Sequence, residues 1–345
     1  MTKSILLIIC LKVSVYGGSI LIEFAAAIIR RNSDGFIYVI HKKGSTNPEV
    51  QWKFPVGNVK GGETPKKCLG RMLREQFGLT TEIGELPTEK RHKYNDKTIQ
   101  INVFWVTDLE ENLNDHRGNW LPPEKLLAEE WDPIDDIIVQ VLQDHFINTT
   151  KNYYKNSSNK YFKETVNNLM DSTLEKFIQF LPENGRILDL GCGSGRDSKY
   201  LMNRGFQVVA IDYSANIAEL ASKHIGKDVI NKKMEDIKYQ NEFDGIWACA
   251  SLLHFTPRQL KIVLNKIINA LRSGGILYTS FKEGKGISLD EKGRYFNNHN
   301  VSSLTNLLKS IPNNEIIEIW RDQSILRGKK QSWVSTLIQK VGKNE

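Results

Sequence analysis

The stretch Arg186–Arg196, RILDLGCGSGR, decides the fold of the larger part of this 345-residue chain. Its first residues read as a buried strand ending at Asp189, and Gly191, Gly193 and Gly195 follow at alternate positions before a helix. Glycine removes the Cβ that would hold a ligand away from the backbone, and a helix start offers free N–H groups. A dinucleotide loop would run G-x-G-x-x-G, but position 196 is Arg. The shorter G-x-G-x-G spacing suits a ligand without pyrophosphate. Asp212 closes the next strand, 21 residues after Gly191, where a carboxylate accepts hydrogen bonds from both hydroxyls of a ribose.

Outward from this loop, strands and helices alternate. Arg186–Leu190, Phe206–Asp212, Asp228–Asn231, Phe243–Ala248 and Gly275–Phe281 have strand composition, and Arg196–Arg204, Ala215–His224 and Pro257–Leu271 have helical spacing. That order predicts a doubly wound parallel sheet covered on both faces. Glu315–Arg321 and Ser332–Val341 follow as a candidate antiparallel hairpin at its end. Upstream, Asn148–Lys163 turns Asn-, Ser-, Lys- and Tyr-rich and reads as a junction.

These residues resemble the class I S-adenosylmethionine (SAM)-dependent methyltransferases, from about Asn152 to Lys340. GCGSGRDSKYL and GRYF (Gly293–Phe296) are similar to a small branch related to tellurite-resistance-type enzymes. The resemblance implies a Rossmann-like seven-stranded sheet over 149–345. It also implies a SAM site built from Asp189, Gly191, Cys192, Gly193, Ser194, Gly195, Asp212, Tyr213, Met234, Glu235 and Asp236. In this family the loop wraps the methionine end, the acid after the second strand holds the ribose, and the 234–236 segment holds the adenine. Methyl transfer needs alignment and exclusion of water, with a general base only when the acceptor arrives protonated. His254, at the carboxyl end of a central strand, is either that base or a packed histidine that shapes the pocket. Tyr295 and Arg294 are expected on the acceptor side, and Tyr153, Tyr154 and Tyr161 as a lid or as aromatic core.

The first half carries GNVKGGETPKKCLGRMLREQFGL, Gly57–Leu79. Two β-rich runs, Leu21–Arg30 and Gly35–His41, precede it, and Pro65–Phe77 reads as a helix closed by Gly78. Ile99–Thr107 alternates like a strand, residues 108–136 are acidic, and Pro133–Phe146 reads as a closing helix. Gly57, Glu63, Arg71, Leu73, Glu75, Gly78 and Leu79 fall on the spacing that resembles the Nudix hydrolases, with QWKFPVG (Gln51–Gly57) as the approach strand. The likeness implies an α/β/α sandwich with a mixed sheet over 20–148. Nudix enzymes split diphosphate linkages with divalent metal held by carboxylates. Positions 72, 75 and 76, one helical face by spacing, are Met, Glu and Gln here where the family holds Glu. Magnesium, which takes oxygen ligands, is left with Glu75 and Glu63. Three readings stay open for this half: a nucleotide- or partner-binding fold, an altered hydrolase and a structural appendage. Trp52 and Phe54 either stack a base or pack the core.

Length and composition agree with two domains. The formal charge is +7, with 18 basic and 20 acidic side chains in residues 1–150 against 29 and 20 in 151–345. The whole surplus therefore lies in the second half, as a solvated lysine-rich face or a preference for anionic partners. Forty per cent apolar residues exclude a disordered or collagen-like chain, and no run of ~18 apolar residues marks a membrane helix. Four cysteines without a C-x-x-C pair make a reducing cytoplasm the expected compartment. Ser4–Leu11 is too short and too soon interrupted by Lys12 for a secretion signal, and residues 1–19 read as an edge strand or an upstream extension.

The expected function is a SAM-dependent methyltransferase acting on a small-molecule acceptor, with tRNA or another nucleic acid left open and no membrane partner. A nucleotide would bind the Nudix-like half. The alternatives are a magnesium-dependent hydrolase of nucleoside-diphosphate type with an accessory methyltransferase, and a sensor without turnover.

Overall fold

The computed structural model describes residues 13–16, 19–31, 33–42, 52–84, 88–94, 97–108, 113, 118–129, 131–168, 170–326 and 329–342. The chain divides into two units, one ending at His145 and the other beginning at Phe146. The segment Ser4–Leu11, discussed above as a secretion signal, lies outside the described residues.

In the first unit β1 (Val13–Tyr16), β2 (Ser19–Arg31), β3 (Ile37–His41), β4 (Trp52–Lys53) and β5 (Val56–Asn58) lead to helix α1 (Pro65–Phe77). After it come β6 (Thr88–Tyr94), β7 (Lys97–Asp108), β8 (Gly118–Leu121) and the short α2 (Pro123–Leu126). Among the described residues these strands make one mixed sheet ordered β4-β3-β2-β7-β6, with β1 and β5 on β2 and β8 on β3. The long β2 is its spine, parallel to β7 and antiparallel to β1, β3 and β5. Ala25–Ile29 is fully buried, so β2 is covered on both faces and reads as a continuous apolar run. Helix α1 owes its bounds to local chemistry. The Thr64 hydroxyl accepts the N–H of Lys67, Pro65 occupies the first turn, and left-handed Gly78 donates its N–H to the Arg74 carbonyl. Such a cap is worth ~1 kcal/mol. Cys68, Leu69, Met72 and Leu73 turn inward onto Ala25, Ala27 and Ile29.

Helix α3 (Pro133–Asn156) runs on past Phe146, where the sequence suggested it would stop, and α4 (Ser158–Thr165) follows. The polar stretch Asn148–Lys163, expected to be a junction, is therefore helical and belongs to the second unit.

Beyond α5 (Asp171–Ile178) the second unit alternates as expected. The order is β9 (Arg186–Leu190), α6 (Arg196–Asn203), β10 (Gln207–Asp212), α7 (Ala215–Ile225), β11 (Ile230–Asn231), β12 (Phe243–Ala248), α8 (Pro257–Ala270) and β13 (Leu271–Lys282). A small hairpin, β14 (Gly286–Leu289) and β15 (Tyr295–Asn298), leads to α9 (Val301–Lys309), β16 (Asn314–Leu326) and β17 (Lys329–Lys340). Seven strands pair in the order β11-β10-β9-β12-β13-β17-β16, all parallel except β17, which is antiparallel to both its neighbours.

Successive strand residues feed two cores. Leu188, Ile246 and Leu277 pack with Leu260, Val263, Leu264 and Ile267 of α8 and with Leu304 and Leu308 of α9. Ile187, Trp247 and Tyr278 pack on the opposite face with Leu174 and Phe177 of α5 and Leu201 of α6. That period of two, with apolar residues at every position, is the mark of a sheet wound on both sides. Trp247 and Tyr278 stack at 4.0 Å between ring centroids. β9 has β10 on one side and β12 on the other, so the chain order reverses there and the loops after β9 and β12 open the crevice where such sheets bind ligands. No helix among the described residues is long and apolar enough to cross a membrane.

Candidate functional site

Gly191 opens the loop after β9 with φ +78°, and a Cβ there would meet Met234 Cε at 2.5 Å and Ser251 Cβ at 2.8 Å. A side chain is excluded both by the backbone and by the two residues that wall the crevice. Gly195, at the start of α6, would place a Cβ 2.9 Å from Ile225 Cγ2 and 3.2 Å from Ala221 Cβ, so it lets α6 and α7 approach. Gly193 lies beneath the Tyr161 phenol. Gly191→Ala is expected to lower stability by roughly 2 kcal/mol, more than Gly226→Ala. Gly226 has a similar φ of +72° but open space around its missing Cβ, so the difference in melting temperature isolates the steric part.

Across the loop stands Asp212. Its Oδ2 accepts the Gly193 N–H at 3.0 Å and its Oδ1 the Ser214 N–H at 2.9 Å. Burial pushes its pKa up to about 6 against the pull of these two donors. The carboxylate thus faces a cavity while tied to the glycine loop, and each oxygen keeps a lone pair for a ligand hydroxyl. The same cavity is lined by Gly191, Gly193, Tyr213, Met234, Glu235, Ser251 and His254. Ser251 Oγ is buried there without a hydrogen-bond partner, an unmet polar group of the kind a ligand satisfies.

The opposite wall comes from α3, through Ile147, Thr150, Lys151 and Tyr154. These are spaced i, i+3, i+4 and i+7, one helical face. His254 sits between this wall and the β14–β15 hairpin. Its Nδ1 lies 2.8 Å from the Tyr295 carbonyl oxygen and its Nε2 2.9 Å from the Tyr154 hydroxyl. A carbonyl only accepts, so Nδ1 carries the hydrogen and Nε2 offers its lone pair to the Tyr154 O–H. Burial holds the His254 pKa down to about 4 and pushes the Tyr154 pKa up to about 12. Both side chains are neutral near pH 7. Arg294 Nη1 approaches the Tyr154 oxygen at 3.4 Å.

Several residues expected at the site stand elsewhere. Asp189 is buried behind the loop, where it accepts a hydrogen bond from Ser198 Oγ at 2.5 Å, and burial pushes its pKa up to about 8. Cys192, Ser194 and Gly195 shape the loop without lining the cavity, and Asp236 is exposed beyond its edge. Tyr295 is corrected most. Its ring is fully buried with an unpartnered hydroxyl, on a strand whose four residues are all buried, and its polar contacts run through its backbone. Its carbonyl holds His254 and its N–H donates to Thr150 Oγ1 at 2.8 Å. Thr150, Ser251 and Gln259 were not foreseen as lining residues.

The Nudix-like motif forms a different arrangement. Arg71 grips Glu63 with two hydrogen bonds, at 2.9 and 3.1 Å, and reaches Glu75 at 3.2 Å. The Arg71 hydrogen bonds, chief among several causes, bring the Glu63 pKa down to about 2. Met72 does not share the solvent face with Glu75 and Gln76 as its spacing suggested. It lies at the inner edge of that face, 1% exposed, where a Cβ on Gly57 would meet it at 3.3 Å. Among the described residues no group of three His, Cys, Asp or Glu could hold a metal ion. Two carboxylates bound to one guanidinium do not fit a magnesium cluster. Nearby, Lys53, Phe54, Gln76 and Asp135 line a second cavity. Asp135 accepts the Phe54 N–H at 2.8 Å, and burial pushes its pKa up to about 6. Trp52 is 9% exposed and stacks on His41, and Phe54 packs on Trp131.

A mixed sheet with a capped helix, followed by a doubly wound sheet with a glycine loop and a buried acid after its second strand, defines a two-domain α/β chain. Residues 22–142 match the family model of the NUDIX domain, and residues 187–275 that of a methyltransferase domain. The chain joins a NUDIX domain to a methyltransferase domain. The CTP pyrophosphohydrolase of Escherichia coli (strain K12) is 29% identical over 118 residues, 33% of this chain and 86% of that protein. An uncharacterized methyltransferase of Staphylococcus carnosus (strain TM300) is 28% identical over 129 residues, 36% of this chain and 61% of its own. The ubiquinone biosynthesis O-methyltransferase of Xanthomonas campestris pv. campestris (strain B100) is 30% identical over 102 residues, 28% and 42% respectively. The chain therefore spans less than two thirds of the length of these methyltransferase relatives.

Proposed function

We propose that the second unit transfers a methyl group from SAM to a small-molecule acceptor, and that the first unit binds a nucleotide without cleaving it. The observation that carries the first part is Asp212. A buried carboxylate is held by the glycine loop at the wall of a cavity that also contains Met234, Glu235 and the unpaired Ser251 hydroxyl. Gly191 and Gly193 would receive the methionine part of SAM, Asp212 the ribose hydroxyls, and Met234 with Glu235 the adenine. SAM, when bound, supplies a methyl on an activated sulfonium leaving group.

The chain's own residues then have a modest task. Tyr154 and His254 stand at the far side of the cavity, both neutral near pH 7. An acceptor that must lose a proton from oxygen or nitrogen would give it to the Tyr154 oxygen, as the Tyr154 proton moves to His254 Nε2. Tyr154 therefore touches the acceptor, and His254 acts through it. The likeness to an O-methyltransferase supports this type of acceptor.

For the first unit, the capture of Glu63 and Glu75 by Arg71 supports binding over hydrolysis. The cavity beside Asp135 is the place for a base whose N–H groups pair with a carboxylate.

Titration of SAM and of S-adenosylhomocysteine (SAH) into the full chain is the test of the methyl-transfer reading. Saturable heat with micromolar affinity is expected. No heat at two temperatures, which excludes a chance zero of enthalpy, would remove the reading.

A further inference from the structure

Beyond His254 lies a group of cations that the proposed methyl transfer leaves unused. Lys282, at the end of β13, holds its Nζ 3.3 Å from the centroid of the Phe296 ring. The Arg294 guanidinium lies 5.3 Å from the same ring and 4.4 Å from that of Tyr153. Lys292 Nζ stands 4.9 Å from the Tyr153 ring. The nearby carboxylate is Asp290, and it is engaged. Its Oδ2 accepts Arg294 Nε at 2.8 Å, while its Oδ1 accepts the backbone N–H groups of Lys292 and Arg294. Among the described residues no ion pair engages Lys282.

Charge is thus in excess where water is partly excluded. Burial, and next the Arg294 charge, hold the Lys282 pKa down to about 8, so this amine pays for its place. A cation stacked on one aromatic ring gains less than a charge-assisted bond to an anion can return. The group stands directly behind two residues that line the cavity, Tyr154 and His254. Phe296 lies 5.0 Å from the His254 ring, and Arg294 Nη1 lies 3.4 Å from the Tyr154 hydroxyl.

We propose that Lys282 and Arg294 form a subsite for an oxyanion of the methyl acceptor, a carboxylate or a phosphate monoester. The inference rests on the methyl-transfer reading of the neighbouring cavity and names its substrate class. The acceptor is a small anion with a nucleophilic O–H or N–H directed at Tyr154. Asp290 Oδ2 holds Arg294 through Nε and Nη2, at 2.8 and 2.7 Å, so Arg294 offers Nη1 on the Tyr154 side, and Lys282 adds a point charge. The positive surplus of residues 151–345 then has one local purpose at this end of the cavity.

The test is protection of Lys282 in the full chain, with and without SAH. Amine acylation at Lys282 is followed by peptide mass spectrometry against benzoate, phenyl phosphate and neutral benzamide. An anion that raises the lysine pKa by one unit slows labelling about tenfold near neutral pH. Saturable slowing by benzoate or phenyl phosphate, but not by benzamide, is expected, and which anion protects separates the carboxylate from the phosphate. Arg294→Gln should lose the protection. Should that variant fail to fold, Lys282→Met keeps the stem over Phe296 and should lose the rise in melting temperature that the anion gives the wild type. Equal protection by benzamide, or no saturable protection by either anion, overturns the subsite. Because labelling is read without SAH as well, a failure of SAM binding is told apart from a failure of the anion site.

Discussion

Asp212→Asn is expected to weaken SAH binding by at least ~100-fold, since hydrogen bonds to a charged group are worth about 1.5–3 kcal/mol each and two ribose hydroxyls depend on this carboxylate. The substitution also turns an amide donor or a poorer acceptor toward the Gly193 N–H, so the loop that should hold the methionine end is loosened. Calorimetry measures both losses together. SAH affinity retained within a few-fold would remove Asp212 from the site. The wild type adds a signature in pH. Free Asp212 has a pKa of about 6, raised chiefly by burial. Ribose hydroxyls favour the charged form, so the bound state has the lower pKa. Affinity is therefore full above pH 6 and declines as pH falls through 6, with proton release on binding in that range. In Asp212→Asn that decline should vanish, which separates this carboxylate from any other acid on the surface.

The parts of this molecule that were legible in the sequence are those fixed by local rules. RILDLGCGSGR shows its strand because burial on both faces writes a continuous apolar run, and its glycines because the crowding at 191 and 195 admits no side chain. Pro65–Phe77 is legible at both ends because Thr64, Pro65 and Gly78 each satisfy or terminate the backbone locally. Other parts depend on what a distant element brings. Ile147, Thr150, Lys151 and Tyr154 form a helical face toward the cavity, but three of the four are polar or amphipathic. A search for an apolar stripe passes over them, and the segment looked like a linker. Tyr295 was expected for its ring, yet it is the backbone of the hairpin that sets the His254 tautomer, and no side-chain pattern announces a carbonyl.

The neutral state of His254 and Tyr154 also follows from burial more than from motif. His254, Tyr154 of α3 and the Tyr295 carbonyl of the hairpin converge from three separate stretches of the chain. The histidine was visible as a residue of the loop after β12. Its orientation was not, because both partners lie far away in sequence. The same limit applies to Lys282 and Arg294, which become neighbours only when the β14–β15 hairpin folds back on β13.

Met72 is where spacing misled, and it carries the second large prediction. Residue 72 lies three and four positions before Glu75 and Gln76, so the helix puts it beside them, but at the edge that turns inward over Gly57 and Cys68. A thioether is at ease there, whereas a buried carboxylate without a partner is not. Met72→Glu should therefore lower stability by roughly 3 kcal/mol at neutral pH, read by denaturant unfolding. The buried glutamate would have its pKa raised, so the loss should shrink as pH falls and the group takes up a proton, and grow as pH rises. Adding Gln76→Glu places carboxylates at all three of positions 72, 75 and 76 without releasing Glu63 and Glu75 from Arg71. Millimolar magnesium should then neither raise the melting temperature of the double variant nor promote release of phosphate or pyrophosphate from a panel of nucleotides, and the wild type should release neither. A magnesium-dependent gain in melting temperature, with hydrolysis lost again in Glu75→Gln, would show that residue 72 can turn outward to complete a metal cluster. In that case the first unit is a hydrolase that lacks only its ligands, and the reading of it as a binding domain is wrong.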